Sequence, residues 1–208
     1  MIENVTISIR PNILKLICNL YDLYGYKIMR KLKITELERL TPTEFQQKQK
    51  TSLVVVLDNV RSLHNVGSIF RTADAFLIEA VYLCGITSTP PHPEIHKTAL
   101  GAEDTVAWKY NEDTHKAIEE LKAEGYTVYA VEQAEGSIML PVLQLEKSRK
   151  VAVVFGNEVK GVQQSVIDIC DGCIEIPQYG TKHSLNVSVT GGIIIWEVFK
   201  RLSHGLER

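Results

Sequence analysis

From Thr51 onward, the apolar positions of the chain follow two different spacings that alternate. The run SLVVVLD, residues 52–58, is almost continuously apolar, which is typical of a strand that a parallel sheet buries on both faces. Residues 64–76, HNVGSIFRTADAF, instead place apolar side chains at positions i, i+3, i+4 and i+7, which predicts an amphipathic helix. Because runs of both kinds follow one another, the pattern predicts an α/β domain over residues 51–203, in which helices cover a mostly parallel sheet.

The same two spacings assign the remaining elements of this domain. Further strands are predicted at residues 79–86, 105–110, 126–132, 151–156 and 173–177, and further helices at residues 112–125, 162–170 and 185–202. Three consecutive isoleucines at residues 193–195 also fit a strand, but the length of the segment 185–202 favours a helix.

The first 50 residues do not share this alternation. Residues 1–28 fit neither spacing, and Met29 resembles a natural start, so residues 1–28 are expected to be an extension outside the fold. Residues 29–50 are predicted to be a basic helical segment, since the first 50 residues carry nine Lys and Arg against five Asp and Glu. Two interpretations of this basic segment are open. It is either an arm that contacts phosphates or a solvated amphipathic helix whose inner face carries Ile28, Leu32, Leu37 and Leu40.

Composition is typical of a soluble globular protein. The 208 residues carry a net charge of −2, which argues against a protein that coats nucleic acid by bulk electrostatics. No apolar run approaches the roughly 18 residues that span a bilayer, so no membrane segment is predicted. Four cysteines without a convincing signal peptide predict reduced thiols and a cytoplasmic protein.

In a parallel sheet, ligands bind beyond the carboxyl ends of the strands, so the residues that follow each strand are the candidates for a site. The segment GNEVKG, residues 156–161, follows one such strand, and Gly156 allows a backbone to approach a ligand closely. The segment is neither a P-loop nor a dinucleotide fingerprint, which favours a nucleotide-like ligand without a triphosphate. Glu158 is either a surface carboxylate or a group that fixes a ligand or an arginine.

A second candidate segment, QYGTKHSLNVSVTGG at residues 178–192, follows the last predicted strand. Ser184 is expected to cap the final helix, with Asn186 in its first turn. A glycine inside a helix costs about 1 kcal/mol relative to alanine. Gly191 and Gly192, together with Ser188, therefore form a small-residue face against which another backbone is expected to pack.

The helix at residues 64–76 is the third candidate. Asn65 is expected to cap it, and the free amides of a capped helix start form an anion site. Arg71 lies beside the apolar stripe, one turn above Gly67. It is either a solvated side chain or part of a phosphate-binding surface.

Two weaker signals lead to no predicted metal site. Cys170 and Cys173 form a single C-x-x-C pair with no second pair and no suitably spaced histidine. His92 and His96 lie within residues 90–104, where prolines are expected to break any helix that would set two ligands on one face. This segment is predicted to be a loop beside the active site.

Taken in order, the segments NVGSIFRTADAF, VVFGNEVKGV and IPQYGTKHSLNVSVTGGIIIWE resemble the three motifs of the SpoU (TrmH) family of SPOUT methyltransferases. The resemblance covers residues 51–200, which is nearly all of the recognisable domain. It implies an α/β fold with a C-terminal trefoil knot, and a homodimer with composite active sites. It also implies S-adenosylmethionine as cofactor and methyl transfer to a ribose 2′-hydroxyl of RNA.

The resemblance also implies roles for individual residues. A catalytic group would consist of Asn65, Arg71, Glu158, Ser184 and Asn186. Arg71 would face the substrate, in space that Gly67 clears beside it. Contacts with the cofactor would come from Gly156, Asn157, Ile176 and Leu185.

The same resemblance favours transfer RNA over ribosomal RNA as the substrate. The short basic segment stands where many ribosomal-RNA members carry a separate RNA-binding domain. The alternative is a non-catalytic RNA-binding protein that retains the fold. The intact set of motif residues favours the enzyme.

Overall fold

The computed structural model describes residues 29–203, and the chain divides into two compact units between Arg39 and Leu40. In the first unit, the described part contains one turn of 3-10 helix, Ile34–Glu36. The carboxylate of Glu36 closes this turn, because it accepts from the backbone N–H of Lys33 at 2.7 Å and from the guanidinium of Arg30 at 2.6 Å. Residues 1–28, the predicted extension, lie outside the described residues.

The amphipathic helix predicted across the basic segment is therefore wrong. Leu32 and Leu40 are exposed, and Ile28 lies outside the described residues. In the second unit, the end of this segment forms a short helix, α1 (Pro42–Gln47), capped by Thr41. Proline at the first helical position favours this start, since its missing N–H is not needed there. Contact of the basic segment with phosphates stays a prediction.

A parallel sheet forms the centre of the second unit. Its strands are β1 (Thr51–Asp58), β2 (Ile78–Cys84), β3 (Trp108–Asn111), β4 (Tyr126–Val131), β5 (Ile138–Met139), β6 (Lys150–Phe155) and β7 (Gly172–Glu175). Among the described residues these seven strands pair only in parallel, in the order β3-β2-β1-β6-β4-β7-β5. The helices that follow α1 are α2 (Leu63–Ala75), α3 (Pro93–Ala99), α4 (Thr114–Ala123), α5 (Gln164–Ile167) and α6 (Val187–Leu202). The predicted α/β fold with a mostly parallel sheet is confirmed.

The continuous apolar runs lie in the middle of this sheet, where helices cover both faces. β1 and β6 pair in register, with Leu53 opposite Val151. Successive side chains of a strand point to opposite faces. Val55 accordingly packs in the core under α2 and α6, whereas Val54 packs in the core under α4. Burial of each such side chain stabilises the fold by about 1.5–3 kcal/mol. This is why the central strands carry apolar residues on both faces.

Two helix starts differ from the predicted ones. Ser62 rather than Asn65 caps α2, and its hydroxyl accepts from the backbone N–H of Asn65 at 3.3 Å. Asn186 rather than Ser184 caps α6, because its carboxamide oxygen accepts from the backbone N–H of Ser188 at 2.8 Å. The helix predicted for residues 185–202 is confirmed, and the strand alternative for the three isoleucines is wrong.

The segment predicted as a proline-broken loop contains α3. Pro93 occupies the first turn, where a missing N–H is tolerated, and His92 caps the helix. This helix packs on α2 at Gly67, where a Cβ would lie 2.2 Å from the carbonyl oxygen of Ile95. The space beside Gly67 is therefore filled by α3. The expectation that Gly67 clears space for Arg71 is wrong.

The two glycines of α6 have different surroundings. A Cβ on Gly191 would lie 2.2 Å from Cδ1 of Ile69, so α6 packs closely on α2 at this point. A Cβ on Gly192 would meet no atom of the described residues within 4 Å. Of these two glycines, only Gly191 is therefore needed for packing among residues 40–203.

Among residues 29–203, no helix combines the length and the apolar character needed to cross a membrane. The trefoil knot and the cytoplasmic location stay predictions.

Candidate active site

The loops that follow β4, β6 and β7 enclose a cavity of about 770 Å³. These three strands are neighbours in the sheet, so their carboxyl ends lie side by side. The lining consists of residues 131–135, 155–162, Gln164, Ile167, Ile174, Ile176, Gln178, residues 183–185, Val187 and Thr190. Volumes in this range are typical of sites for small molecules.

The turn after β6 is held tightly by its own backbone. At Gly156, a Cβ would lie 2.1 Å from the carbonyl carbon of Gly161, so the close return of the chain requires glycine. The carboxamide oxygen of Asn157 accepts from the backbone N–H groups of Val159 and Lys160, at 2.9 and 3.1 Å. Its amide donates to the carbonyl oxygen of Asn59 at 2.8 Å, which ties the turn to the end of β1. This turn presents backbone groups to the cavity.

The carboxylate of Glu158 joins this turn to the start of α2. It accepts from the backbone N–H groups of Arg61 and Ser62, at 3.0 and 2.9 Å. It also accepts from the side-chain amide of Asn65 at 3.0 Å. Of the two interpretations of Glu158, the geometry supports a fixing group rather than a solvated surface carboxylate.

The ionisation of Glu158 is determined by the hydrogen bonds that its carboxylate accepts. Burial by itself would raise the pKa of the carboxyl group, because it disfavours the charged form. The hydrogen bonds from the amides of Arg61 and Ser62 and from Asn65 outweigh burial and lower the pKa below its usual value. Glu158 is therefore a carboxylate at neutral pH.

A second link extends from Asn65 to the last helix. Asn65 is only 7% exposed, and its carboxamide oxygen accepts from the side-chain amide of Asn186 at 3.2 Å. Asn186 in turn caps α6. Three residues, one from each predicted motif, thus form a continuous chain: Glu158, Asn65 and Asn186.

The structure brings most of the other predicted site residues to the cavity. Gly156, Asn157, Glu158, Ile176, Ser184 and Leu185 all line it. Asn65 and Asn186 are connected to Glu158 through the hydrogen bonds just described. The catalytic and cofactor-binding roles assigned to these residues stay predictions.

Arg71 is the exception among the predicted site residues. It lies on the exposed side of α2, outside the lining of the cavity. It belongs to the helix whose start is fixed by Glu158, six positions after Asn65. The structure thus attaches Arg71 to the site through a rigid element rather than by direct contact with the cavity of the same chain.

The described cysteines, Cys84, Cys170 and Cys173, belong to no cluster of metal ligands among the described residues. Among the described residues, no group of three or more His, Cys, Asp or Glu side chains could hold a metal ion. Burial raises the pKa of the Cys170 thiol to about 12, which keeps it protonated at neutral pH. The thiol of Cys173 donates to the carbonyl oxygen of Glu132 at 3.3 Å.

Sequence reasoning missed Glu132, Gln133 and His183, which also line the cavity. The side-chain amide of Gln133 donates to the carbonyl oxygen of His183 at 2.6 Å, so it joins the loop after β4 to the loop after β7. The rule that ligands bind after the carboxyl ends of strands could have found Glu132, because it directly follows β4.

Comparison with known proteins identifies the class of this protein. Residues 52–196 match the SpoU rRNA methylase family. The chain is 33% identical over 173 residues to a tRNA (guanosine(18)-2′-O)-methyltransferase of Thermus thermophilus, which covers 83% of this chain and 87% of that protein. It is 35% identical over 158 residues to a putative TrmH family tRNA/rRNA methyltransferase of Staphylococcus aureus, covering 75% of this chain and 62% of that protein.

Solved structures agree with this assignment. A TrmH/SpoU tRNA modifying enzyme of A. aeolicus matches with a TM-score of 0.66 and 29% identity over 76% of this chain and 78% of its own. An AdoMet-bound rRNA methyltransferase from Sinorhizobium meliloti matches with a TM-score of 0.68 and 28% identity, over 80% and 62% of the two chains. The fold and the sequence thus define an RNA methyltransferase. The chain belongs to the SpoU rRNA methylase family, and the predicted class of RNA 2′-O-ribose methyltransferases is confirmed at the level of the family.

Replacement of Glu158 should lower stability in a pH-dependent way. Because its folded-state pKa is depressed, its stabilisation is fully present above the unfolded pKa of about 4.3 and is lost as the pH falls through the folded pKa. We expect Glu158→Gln to lower the free energy of unfolding by about 1–3 kcal/mol at pH 7. The difference from the parent protein should shrink between pH 5 and pH 3, measured by urea unfolding followed by circular dichroism.

Glu119→Gln is the matched control for this series, because Glu119 is an exposed residue of α4. Its effect should stay within about 0.5 kcal/mol at each pH. A Glu158→Gln difference that is constant from pH 7 to pH 3 would contradict a stabilising carboxylate at this position.

Proposed function

We propose that this protein transfers a methyl group from S-adenosylmethionine to a ribose 2′-hydroxyl of RNA, with transfer RNA favoured over ribosomal RNA. The observation that carries the proposal is the chain Glu158–Asn65–Asn186, which ties the three motifs together at the edge of the cavity. The preference for transfer RNA is supported by the Thermus thermophilus relative, which this chain matches over 87% of that protein's length.

The residues of the cavity fit S-adenosylmethionine. Charged side chains in the lining are Glu132, Glu135 and Glu158 against Lys160, an acidic excess that suits a ligand with a sulfonium and an ammonium group against one carboxylate. The turn at Gly156 supplies backbone donors and acceptors beside apolar walls such as Ile176. When bound, the cofactor supplies a methyl group on a positively charged sulfur, which an oxygen nucleophile can accept.

Arg71 is proposed to hold the RNA substrate. A guanidinium offers hydrogen-bond donors and no acceptor, and it is therefore a poor general base. Its planar fork suits bidentate binding of the phosphate next to the reacting ribose. Such a contact orients the 2′-hydroxyl and stabilises the negative charge that develops on its oxygen. Ser184, in the lining of the cavity, and Asn186 are proposed to complete the reaction centre.

A homodimer with composite active sites is part of the proposal. Arg71 lies outside the cavity lining of its own chain, which fits a site completed by a second copy. A stripe along α6 is available for contact, since Val189 is 51% exposed and Trp196 is 40% exposed, and no atom of the described residues lies within 4 Å of a Cβ on Gly192. These three positions share one side of the helix.

A charge in this stripe should therefore separate the subunits. We expect the parent protein to be a dimer at micromolar concentration and Val189→Glu to be largely monomeric, measured by light scattering with size-exclusion chromatography. The backbone N–H of Val189 still meets the cap at Asn186 in this variant. Lys116→Glu, an exposed change on α4, serves as the control and should remain dimeric. A dimeric Val189→Glu would locate the interface elsewhere.

Gly156→Ala should abolish tight cofactor binding. The added Cβ would collide with the backbone of Gly161 and Val162, so the turn must open. Isothermal titration calorimetry should show at least a tenfold weaker affinity for S-adenosylmethionine. In Gly180→Ala the new Cβ meets no atom of residues 29–203 within 4 Å, and the affinity of this variant should equal that of the parent. Equal affinities of Gly156→Ala and the parent would mean that the cofactor binds away from this turn.

Arg71 variants test the reaction itself. Purified protein should methylate transfer RNA from cells that lack the gene, with 2′-O-methylated nucleosides detected by mass spectrometry and ribosomal RNA assayed in parallel. Arg71→Lys keeps the charge but loses the fork, so it should lose most of the rate, and Arg71→Ala should lose at least about a hundredfold. Cofactor affinity should be unchanged in both variants.

Arg149→Ala is the control for loss of a surface arginine and should retain the parent rate. Near-normal turnover by Arg71→Ala would eliminate the phosphate-clamp role. Binding of RNA without any methylation by the parent protein would support the non-catalytic alternative.

A further inference from the structure

Glu132 directly follows β4, the middle one of the three strands whose loops form the cavity, and it lines that cavity. We propose that its carboxylate binds the ribose hydroxyl groups of S-adenosylmethionine and thereby makes the site specific for a ribonucleoside ligand. This inference rests on the proposed function, because it requires that the cavity holds this cofactor.

The backbone of Glu132 is fixed by the adjacent strand. Its N–H donates to the carbonyl oxygen of Ile174 at 3.1 Å, and its own carbonyl oxygen accepts from the thiol of Cys173 at 3.3 Å. Both partners belong to β7. The position of Glu132 relative to the loop after β7 is therefore set by the sheet itself.

The side chain of Glu132 reaches in the opposite direction, to the turn after β6. One carboxylate oxygen accepts from the backbone N–H of Val162 at 3.0 Å, and the other accepts from the backbone N–H of Gln133 at 2.8 Å. Since two donors hold the two oxygens, the plane of the carboxylate is fixed before any ligand binds. A fixed acceptor pair binds a ligand without the loss of side-chain freedom that a mobile glutamate would incur.

The chain makes room for this carboxylate at Gly161. This residue has a φ of +65°, and a Cβ on it would lie 2.1 Å from the same oxygen that accepts from Val162. Only glycine allows the turn to lie so close to the carboxylate. The backbone at Gly161 therefore has the conformation that the close approach of the Glu132 carboxylate requires. Glu132 itself lies outside the motif segment that contains Gly161.

The carboxylate retains capacity for a ligand. Two carboxylate oxygens offer about four acceptor sites, and the described residues use two of them. S-adenosylmethionine carries two neighbouring ribose hydroxyl groups, whose spacing suits a pair of carboxylate oxygens. An acidic side chain near the carboxyl end of a parallel strand binds ribose hydroxyls in the same manner in dinucleotide-binding folds.

A comparison of ligands with and without these hydroxyls tests the inference. Calorimetry with S-adenosylhomocysteine and its 2′-deoxy and 3′-deoxy analogues should be performed on the parent and on Glu132→Gln. Glu132→Gln should weaken binding of S-adenosylhomocysteine at least tenfold, since it loses a charged hydrogen-bond acceptor. At least one deoxy analogue should bind the parent correspondingly weakly and should bind Glu132→Gln with little further loss, which is the non-additivity expected of a direct contact.

A purely structural role gives a different result. If Glu132 only supports the turn, Glu132→Gln weakens all three ligands by the same factor, and that outcome overturns the inference, as does unchanged binding of S-adenosylhomocysteine. Failure of the parent to bind S-adenosylhomocysteine at all would instead overturn the proposed function. Glu119→Gln is the control for loss of one negative charge and should bind all ligands as the parent does.

Urea unfolding of each variant establishes that it is folded. Should Glu132→Gln not fold, Glu132→Asp provides the same comparison, because it keeps the charge and shortens the reach. It should then discriminate less than the parent between the ribose and deoxyribose ligands.

Discussion

The carboxylate of Glu158 accepts hydrogen bonds from three donors at the start of α2, although 93 positions of sequence separate it from Asn65. Without it, the amides of Arg61 and Ser62 would be donors without a partner at a helix start, which is costly where water is partly excluded. The same contact determines which way the side chain of Asn65 points, and so determines that it can meet Asn186. This one acceptor therefore joins the second motif to the first and positions the residue that meets the third.

The parallel sheet provides the frame in which this contact is possible. β6, β4 and β7 are neighbours, so the loops at their carboxyl ends meet although they are distant in sequence. The central strands are buried on both faces, which leaves them little freedom to shift. The loops can then be held by short, specific hydrogen bonds between groups that are distant in sequence.

The sequence predicted six of the seven strands and the terminal helix, because continuous and periodic apolar spacing directly reports burial. It did not predict β5, which has only two residues, both exposed. It predicted the wrong caps for α2 and α6, where two suitable residues compete within three positions. Ser62 caps α2, whereas Asn65 lies inside the helix and its side chain is engaged by Glu158, a contact that local sequence does not reveal. The loop prediction for the proline-rich segment is wrong because Pro93 lies in the first turn of a helix, where proline is tolerated. Glu132 directly follows a strand, so its place at the site is predictable, but its contact with Val162 spans 30 residues and is not visible in the local sequence.

The hydrogen bond between Asn65 and Asn186 spans 121 positions, and this has a consequence for the order of events during synthesis. The first motif leaves the ribosome long before its partner in α6 has been translated. A growing chain can therefore build β1, α2 and β2 while its site is still open on one side. The last helix both covers the core and closes the site, so an incomplete chain has neither a finished fold nor a finished pocket. Activity is thereby restricted to chains that have been translated through α6.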